Sequence, residues 1–243
     1  MRTEGIVIHL ARAEGRRPQV DELLRTLPVP SEVLDATDGS RLSPDEIDRA
    51  YRRNLHRPHY PFELRIAEIG CFLSHRAAWR RIVERDLDAG VIIEDDVGID
   101  PDNFAAAVRF AQERMTATDY VRFPWRSHTD AGRVISDDNG LSLVEPRGVG
   151  VGMLAQVVGR EAARRLLETT ERFDRPVDTF LQMRWAHDAR MLAVRGVRLQ
   201  HLDAQLGGTT LHKRKRPLAE SLTREALRAR YRAEITLRDL GRR

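Results

Sequence analysis

The chain has 243 residues, 41% of them hydrophobic, which is enough to bury a substantial core in one large domain. Its 41 basic and 37 acidic residues nearly cancel to +4, a balance that excludes the apolar-poor, highly charged composition of a disordered chain. One cysteine, Cys71, excludes an intrachain disulfide framework and fits a reducing, cytoplasmic setting, where it reads as an inert buried thiol in an apolar stretch.

The first apolar run, residues 6–10, is broken by His9 and is too short for a signal-peptide core or for the roughly 18 apolar residues of a spanning helix. Residues 5–10 are therefore predicted as a strand. Residues 18–27 have helical period, and residues 31–34 are a short extended piece ending in the turn Asp35-Ala36-Thr37-Asp38-Gly39. In the next helix, residues 42–51, Ser43 can cap the first turn, Pro44 suits its first position and Glu46 has capping-box spacing. Residues 52–61 are rich in Arg, His and Pro and read as a surface loop, either a plain connection or a lid. From Ile69, apolar residues recur every three or four positions through Phe72, Leu73, Trp79, Ile82 and Val83, so an amphipathic helix is predicted.

A turn at residues 86–90 leads into Val91-Ile92-Ile93, a β-branched run suited to a strand covered on both faces, and then into Glu94-Asp95-Asp96. Further on, residues 104–115 read as helix, 120–123 and 141–144 as strands with a polar turn at 137–140, and 149–158 as a glycine-interrupted apolar segment. Residues 160–168 read as helix and 194–200 as a late strand before a Gly207-Gly208 loop. This alternation of short apolar runs with helical segments predicts an α/β fold with a mostly parallel sheet. In such sheets ligands bind beyond the carboxyl ends of the strands, which is where the three acids fall. Clustered carboxylates repel one another, and a hard cation such as Mg²⁺ or Mn²⁺ relieves that repulsion while bridging to a diphosphate.

The stretch Glu68-Ile69-Gly70-Cys71-Phe72-Leu73-Ser74-His75-Arg76, a helix with Trp79, a short spacer and then Val91-Ile92-Ile93-Glu94-Asp95-Asp96-Val97 closely resembles glycosyltransferase family 25. That family comprises bacterial lipooligosaccharide galactosyltransferases and relatives, with collagen galactosyltransferase domains. Residues 6–10 with Arg12 and Arg17 look like its first strand and basic follow-on, and residues 35–39 like its Ala-x-Asp-Gly turn. Residues 159–167 are similar to its glycine-alanine-leucine helix, and Pro176-Val177-Asp178 to its Pro-x-Asp element. The chain departs from the pattern at His9, where the family commonly has Asn, and at Gly152-Met153-Leu154, which lacks a tyrosine often found nearby.

The resemblance implies a GT-A type fold, a Rossmann-like sheet with an acidic metal motif, and inverting transfer of a hexose, galactose or glucose, from a UDP-sugar to a glycan hydroxyl. On that footing Asp96, with Asp95 as the second candidate, is expected to hold Mn²⁺ or Mg²⁺. Glu94, Asp95, Ser74, His75, Asp38 and Gly39 are expected to bind the nucleotide-sugar, and Asp178 or Glu68 to act as general base. The residues by themselves leave other roles open. Asp178 is a natural helix N-cap, Glu68 a partner for a helix dipole, and Arg76, Arg80, Arg81 and Arg85 a solvated basic face.

Residues 212–243 carry 11 Lys or Arg against 4 Asp or Glu, a local +7 that leaves −3 for the remainder. We therefore expect a transferase domain at 1–211 and a basic helical extension at 212–243, with an apolar stripe at Leu222, Ala226, Ala233 and Leu237. The extension suits either peripheral contact with an anionic membrane at its inner face, with a lipid-linked acceptor such as lipooligosaccharide core, or packing on the domain. Two other classes compete. A metal-dependent nucleotidyltransferase would use a similar acidic cluster, while a nucleic-acid module lacks stacking motifs, a zinc site or a reading helix here, so no nucleic-acid partner is expected.

Overall fold

The computed structural model describes residues 1–126, 129–202, 204, 206 and 218–240, with side chains from 223 to 239 in the last stretch. In chain order, β1 (Thr3–His9) is followed by α1 (Arg17–Thr26), β2 (Ser31–Asp35), α2 (Pro44–Ala50) and α3 (Ile66–Glu84). Next come β3 (Ala89–Glu94), β4 (Val97–Ile99), α4 (Pro101–Gln112), β5 (Asp119–Arg122), β6 (Gly132–Asp138), β7 (Leu141–Pro146) and β8 (Ala155–Gly159). The chain continues through α5 (Arg160–Thr169), α6 (Val177–Leu181), α7 (Arg184–His187), β9 (Arg190–Arg195), β10 (Leu199–His201) and α8 (Leu218–Leu240). The predicted box at α2 forms: Ser43 Oγ accepts from the Glu46 N–H, and Glu46 accepts from the Ser43 N–H at 2.8 Å.

Eight strands form one sheet in the order β2-β1-β3-β8-β5-β9-β7-β6, and β4 pairs with β10 in a second ladder. Six of the eight run in one direction; β8 and β7 oppose them, so the sheet is mostly parallel in direction but mixed in its pairings. Period-two alternation assigns the two faces. Ile6, Ile8 and Ile92 pack with Ile69, Phe72, Trp79 and Ile82 of α3 and with Ala162, Ala163 and Leu166 of α5. Val7, Val91 and Ile93 pack on the other face with Val20 and Leu23 of α1 and Phe104, Val108 and Ala111 of α4. The result is a three-layer α/β/α domain, the Rossmann-like arrangement expected.

The order β2-β1-β3 reverses at β1, because α1 crosses on one face and α3 on the other. Such a switch point leaves a crevice at the strands' carboxyl ends, and here it opens between His9 at the end of β1 and Glu94 at the end of β3.

Three sequence expectations are corrected. Residues 194–200 are not one strand: β9 ends at Arg195, Gly196 turns with φ of 91°, and β10 belongs to the other ladder. The polar turn predicted at 137–140 is only Asn139-Gly140, both at positive φ, with Asp137 and Asp138 still in the edge strand β6. The buried face of α8 is Tyr231, Ile235 and Asp239, whereas Ala226, Ala233 and Leu237 face solvent. The Gly207-Gly208 loop, Lys213-Arg214-Lys215-Arg216 and the side chain of Leu222 lie outside the described residues.

Candidate active site

A cleft of about 1030 Å³ opens at the switch point, and every sequence-predicted site residue lines it: Asp38, Gly39, Glu68, Ser74, His75, Glu94, Asp95, Asp96 and Asp178. Their elements explain the convergence. The end of β3 presents the three acids, α3 presents Glu68, Cys71 and His75 from one face, and α6 brings Asp178 from across the opening.

The three acids have different surroundings. Asp95 is buried with both oxygens engaged: Oδ2 lies 2.7 Å from His9 Nδ1, and Oδ1 accepts from Arg16 at 2.6 Å. Asp96, 9% exposed, faces Arg16 at 3.3 Å and His201 Nε2 at 3.5 Å through Oδ2, while its Oδ1 has no hydrogen-bond partner. Burial first, and then the neighbouring Glu94 charge, push its carboxyl pKa up to about 6. Glu94 is half-buried and accepts or shares a proton with His75 Nε2 at 3.1 Å.

Ser74 is buried between two backbones, donating to Gly70 O at 2.7 Å and accepting from the Thr37 N–H at 2.9 Å. It thereby ties the Asp35–Gly39 turn to α3. Two glycines permit that contact. A β-carbon on Gly39 would stand 2.1 Å from Ile66 O, and one on Gly70 would stand 2.6 Å from Thr37 O. Asp38 accepts from Ser40 N–H and Oγ–H and from Arg12, which hold its carboxyl below the usual range despite some desolvation. Glu68 accepts from the Arg65 N–H at 2.7 Å and so closes the first turn of α3, the structural role the sequence left open.

Cys71 differs from the expected inert buried thiol. It lies on the cleft face of α3 between Glu68 and His75 and is open to the cleft. Crowding by protein on its other sides, then the charges of Glu94, Asp178, Asp96 and Glu68, hold its pKa well above the ordinary value. Of the four arginines expected on a solvated face, Arg80 is exposed and the others are engaged: Arg76 donates to Thr170 Oγ1 and Leu167 O, and Arg81 and Arg85 pair with Glu32.

Opposite the acids, Asp178 Oδ2 accepts from the Gly152 N–H at 2.9 Å and Oδ1 from its own neighbour's Thr179 N–H at 2.7 Å. Pro176 takes the N-cap position, so Asp178 lies inside the first turn. A buried Arg122–Asp130 pair fixes the same segment, since Asp130 accepts from the Gly150 N–H and Arg122 donates to Gly152 O. At the rim, Trp125 is 38% exposed with its ring 5.6 Å from that of His201.

The upper wall comes from α8, which contributes Arg228, Tyr231 and Arg232 beside Tyr60 and Phe62. Fully buried Arg175 anchors this wall, donating to Tyr231 Oη at 2.6 Å and to His56 O and Pro58 O. Tyr60 and Tyr231 meet edge to face at 5.4 Å, and Arg224 lies 4.0 Å over the Phe62 ring. Residues 60–61 thus border the cleft. Arg16, His201, Tyr60, Tyr231, Arg228 and Arg232 are site residues the sequence did not single out. Only the basic run after β1 hinted at Arg16.

The profile described as "Glycosyltransferase family 25 (LPS biosynthesis protein)" matches residues 2–181, well over half of the chain. The chain belongs to glycosyltransferase family 25. Among curated relatives, a glycosyltransferase 25 family member of Drosophila melanogaster is 28% identical over 183 residues, covering 73% of this chain and 30% of that protein. Human procollagen galactosyltransferase 2 is 34% identical over 100 residues, 39% of this chain and 16% of that protein. Human inactive glycosyltransferase 25 family member 3 is 29% identical over 192 residues, 73% of this chain and 31% of that protein. The family 25 chain described here therefore spans less than a third of these relatives' length. The family match ends within α6, so α8 and its part of the cleft wall lie beyond it.

Proposed function

We propose that this family 25 chain transfers a hexose, galactose or glucose, from a UDP-sugar to a hydroxyl of a glycan acceptor with inversion, assisted by Mn²⁺ or Mg²⁺. The observation that carries the reading is Asp96: a buried carboxylate with an unpartnered oxygen, pressed by Glu94, on the floor of a cleft at the sheet's switch point. A divalent cation would satisfy that oxygen and offset the repulsion from Glu94, so Asp96 with His201 beside it would hold the metal. When bound, the cation supplies positive charge to the diphosphate of the leaving UDP.

The chain's own groups do the rest. Asp95, engaged by His9 and Arg16, holds Arg16 in the cleft, where the guanidinium faces the same diphosphate as Asp96. Asp38, Gly39 and the Ser74-tied turn border the nucleotide half of the cleft. Asp178 is assigned as general base, because two backbone N–H groups orient its carboxylate from the wall facing the acids. Glu68 is the second candidate, partly committed to closing α3. Exposed Trp125 at the rim offers an apolar face for an acceptor sugar ring.

A lipid-linked acceptor is consistent with α8, whose exposed Leu227 and Leu237 lie among Arg230, Arg232 and Arg238. Each basic residue near an anionic bilayer surface adds about 1 kcal/mol of attraction. No helix among the described residues is long and apolar enough to cross a membrane, so the contact proposed is peripheral. The deciding experiment is a nucleotide-sugar panel with and without Mn²⁺, scored by thermal stabilisation and by release of free UDP. Metal-dependent stabilisation by a UDP-sugar supports the reading; stabilisation by a nucleoside triphosphate alone would replace it with nucleotidyl transfer.

A further inference from the structure

Cys71 and His75 are four residues apart on α3 and therefore share one face, and Glu94 reaches the same point from the end of β3. A thiol sulfur, an imidazole nitrogen and a carboxylate oxygen from these three residues all lie within 4.8 Å of one another. His75 is 1% exposed, and its Nδ1 has no hydrogen-bond partner. The Cys71 thiol makes no hydrogen bond among the described residues and is open to the cleft.

We propose that Cys71, His75 and Glu94 form a binding site for a borderline-soft divalent cation, with zinc the best match, separate from the oxygen-rich site at Asp96. Sulfur with imidazole and one carboxylate is a zinc donor set and a poor one for Mg²⁺ or Mn²⁺. Zinc bonds of about 2.0–2.3 Å place tetrahedral ligand atoms roughly 3.3–3.8 Å apart, so small side-chain rotations close the observed spacing. Three protein ligands leave a fourth position facing the cleft, where water or a substrate oxygen completes the tetrahedron.

Binding is balanced by one proton. The Cys71 S–H gives its proton to solvent as the sulfur–zinc bond forms, and neutral His75 and ionised Glu94 donate lone pairs without further change. The carboxylates of Glu68, Asp96 and Asp178 around the thiol add negative charge that favours a dication at the same point. The ion would lie on the cleft floor beside Glu94, so its occupancy governs access to that carboxylate. The inference rests on the ligand set and not on the transferase reading, and its test reads metal binding directly.

The experiment uses the chelator-stripped full chain titrated with Co²⁺ and then with Zn²⁺. A near-ultraviolet thiolate-to-cobalt charge-transfer band should appear with release of one proton per chain, and about one equivalent of Zn²⁺ should abolish it with no further proton released. Because Cys71 is the chain's one cysteine, zinc should also protect it from a thiol-alkylating reagent without background. Cys71→Ser and His75→Gln should each weaken zinc at least about tenfold, since loss of an outer-shell partner alone costs 10- to 100-fold. Asp96→Asn should keep the band. Cys71→Ala, checked by its unfolding temperature, guards against a folding artefact. Cobalt binding without a thiolate band, or Cys71→Ser binding zinc as the parent does, overturns the proposal.

Discussion

His9 Nδ1 lies 2.7 Å from Asp95 Oδ2, across the switch point from strand β1 to the end of strand β3. With Arg16 on the other oxygen, Asp95 is the centre of a buried charge cluster, whereas Asp96 keeps an unpartnered oxygen. The two neighbours should therefore respond oppositely to removal. Asp95→Ala removes the carboxylate partner of His9 Nδ1 and the shorter of Arg16's two carboxylate contacts, and should cost about 3 kcal/mol or more in unfolding free energy. Asp96→Ala, which removes a buried charge, should raise stability at neutral pH and abolish metal-dependent UDP-sugar binding, read by denaturant unfolding and by thermal shift with Mn²⁺. Equal destabilisation by both would remove this division of roles.

The same carboxyl sets a pH dependence. Asp96 has its pKa raised from 3.8 to about 6, so between those values the folded chain holds a proton that the unfolded chain has lost. This group's contribution to stability is therefore largest on the acid side and declines as pH rises, by about 3 kcal/mol across the window. Asp96→Asn should flatten that decline in unfolding free energies measured from about pH 4 to 7. Mn²⁺ should stabilise the parent above about pH 6 and little at about pH 5, where it competes with the proton.

Asp178→Asn should leave UDP-sugar affinity within about twofold, because the orienting N–H groups of Gly152 and Thr179 lie on the wall facing the acids and not among them. Transfer should slow by about a hundredfold or more, the typical contribution of a general base. Free UDP released per minute in the presence of acceptor measures it, and normal turnover would return the role to Glu68.

Trp125→Ala should raise the acceptor KM by roughly three- to tenfold, matching the 0.5–1.5 kcal/mol of an aromatic stacking contact. Donor binding should be unchanged, and Trp125→Phe should recover most of the effect. An equal loss of donor affinity would place the ring in the wrong half of the cleft.

Gly70→Ala tests the contact between α3 and the Asp35–Gly39 turn. The added methyl meets Thr37 O at 2.6 Å and Gly39 N at 2.8 Å, both backbone atoms that cannot rotate away. About 1–3 kcal/mol of destabilisation is expected from such overpacking, with UDP-sugar affinity reduced as the turn shifts. Unfolding temperature and donor affinity together report it.

The parts of this fold that were readable in sequence are those where local pattern and tertiary environment agree. Val91-Ile92-Ile93 is fully buried on both faces, so its apolar run and the acids after it pointed directly to a strand end at the working edge. Edge strand β6 was not readable because most of it is exposed and its Gly-Arg-Val-Ile-Ser-Asp-Asp sequence has no alternation to match a covered face. The face of α8 was misread for a related reason. The expected stripe was Leu222, Ala226, Ala233 and Leu237, whereas the packed side uses Tyr231, the guanidinium groups of Arg224 and Arg228 over Phe62, and Asp239 paired with Arg184. Arg16 stands in a 3-10 turn nearly eighty residues from the acids it serves, and no short-range spacing announces such a pairing.

Arg175 pins the segment around His56 and Pro58 and the helix bearing Tyr231 to one buried guanidinium, while the cleft floor is built from the span shared with family 25. On the proposed reading, a different terminal helix seated on that arginine would reshape one wall of the cleft and leave the carboxylates on its floor in place.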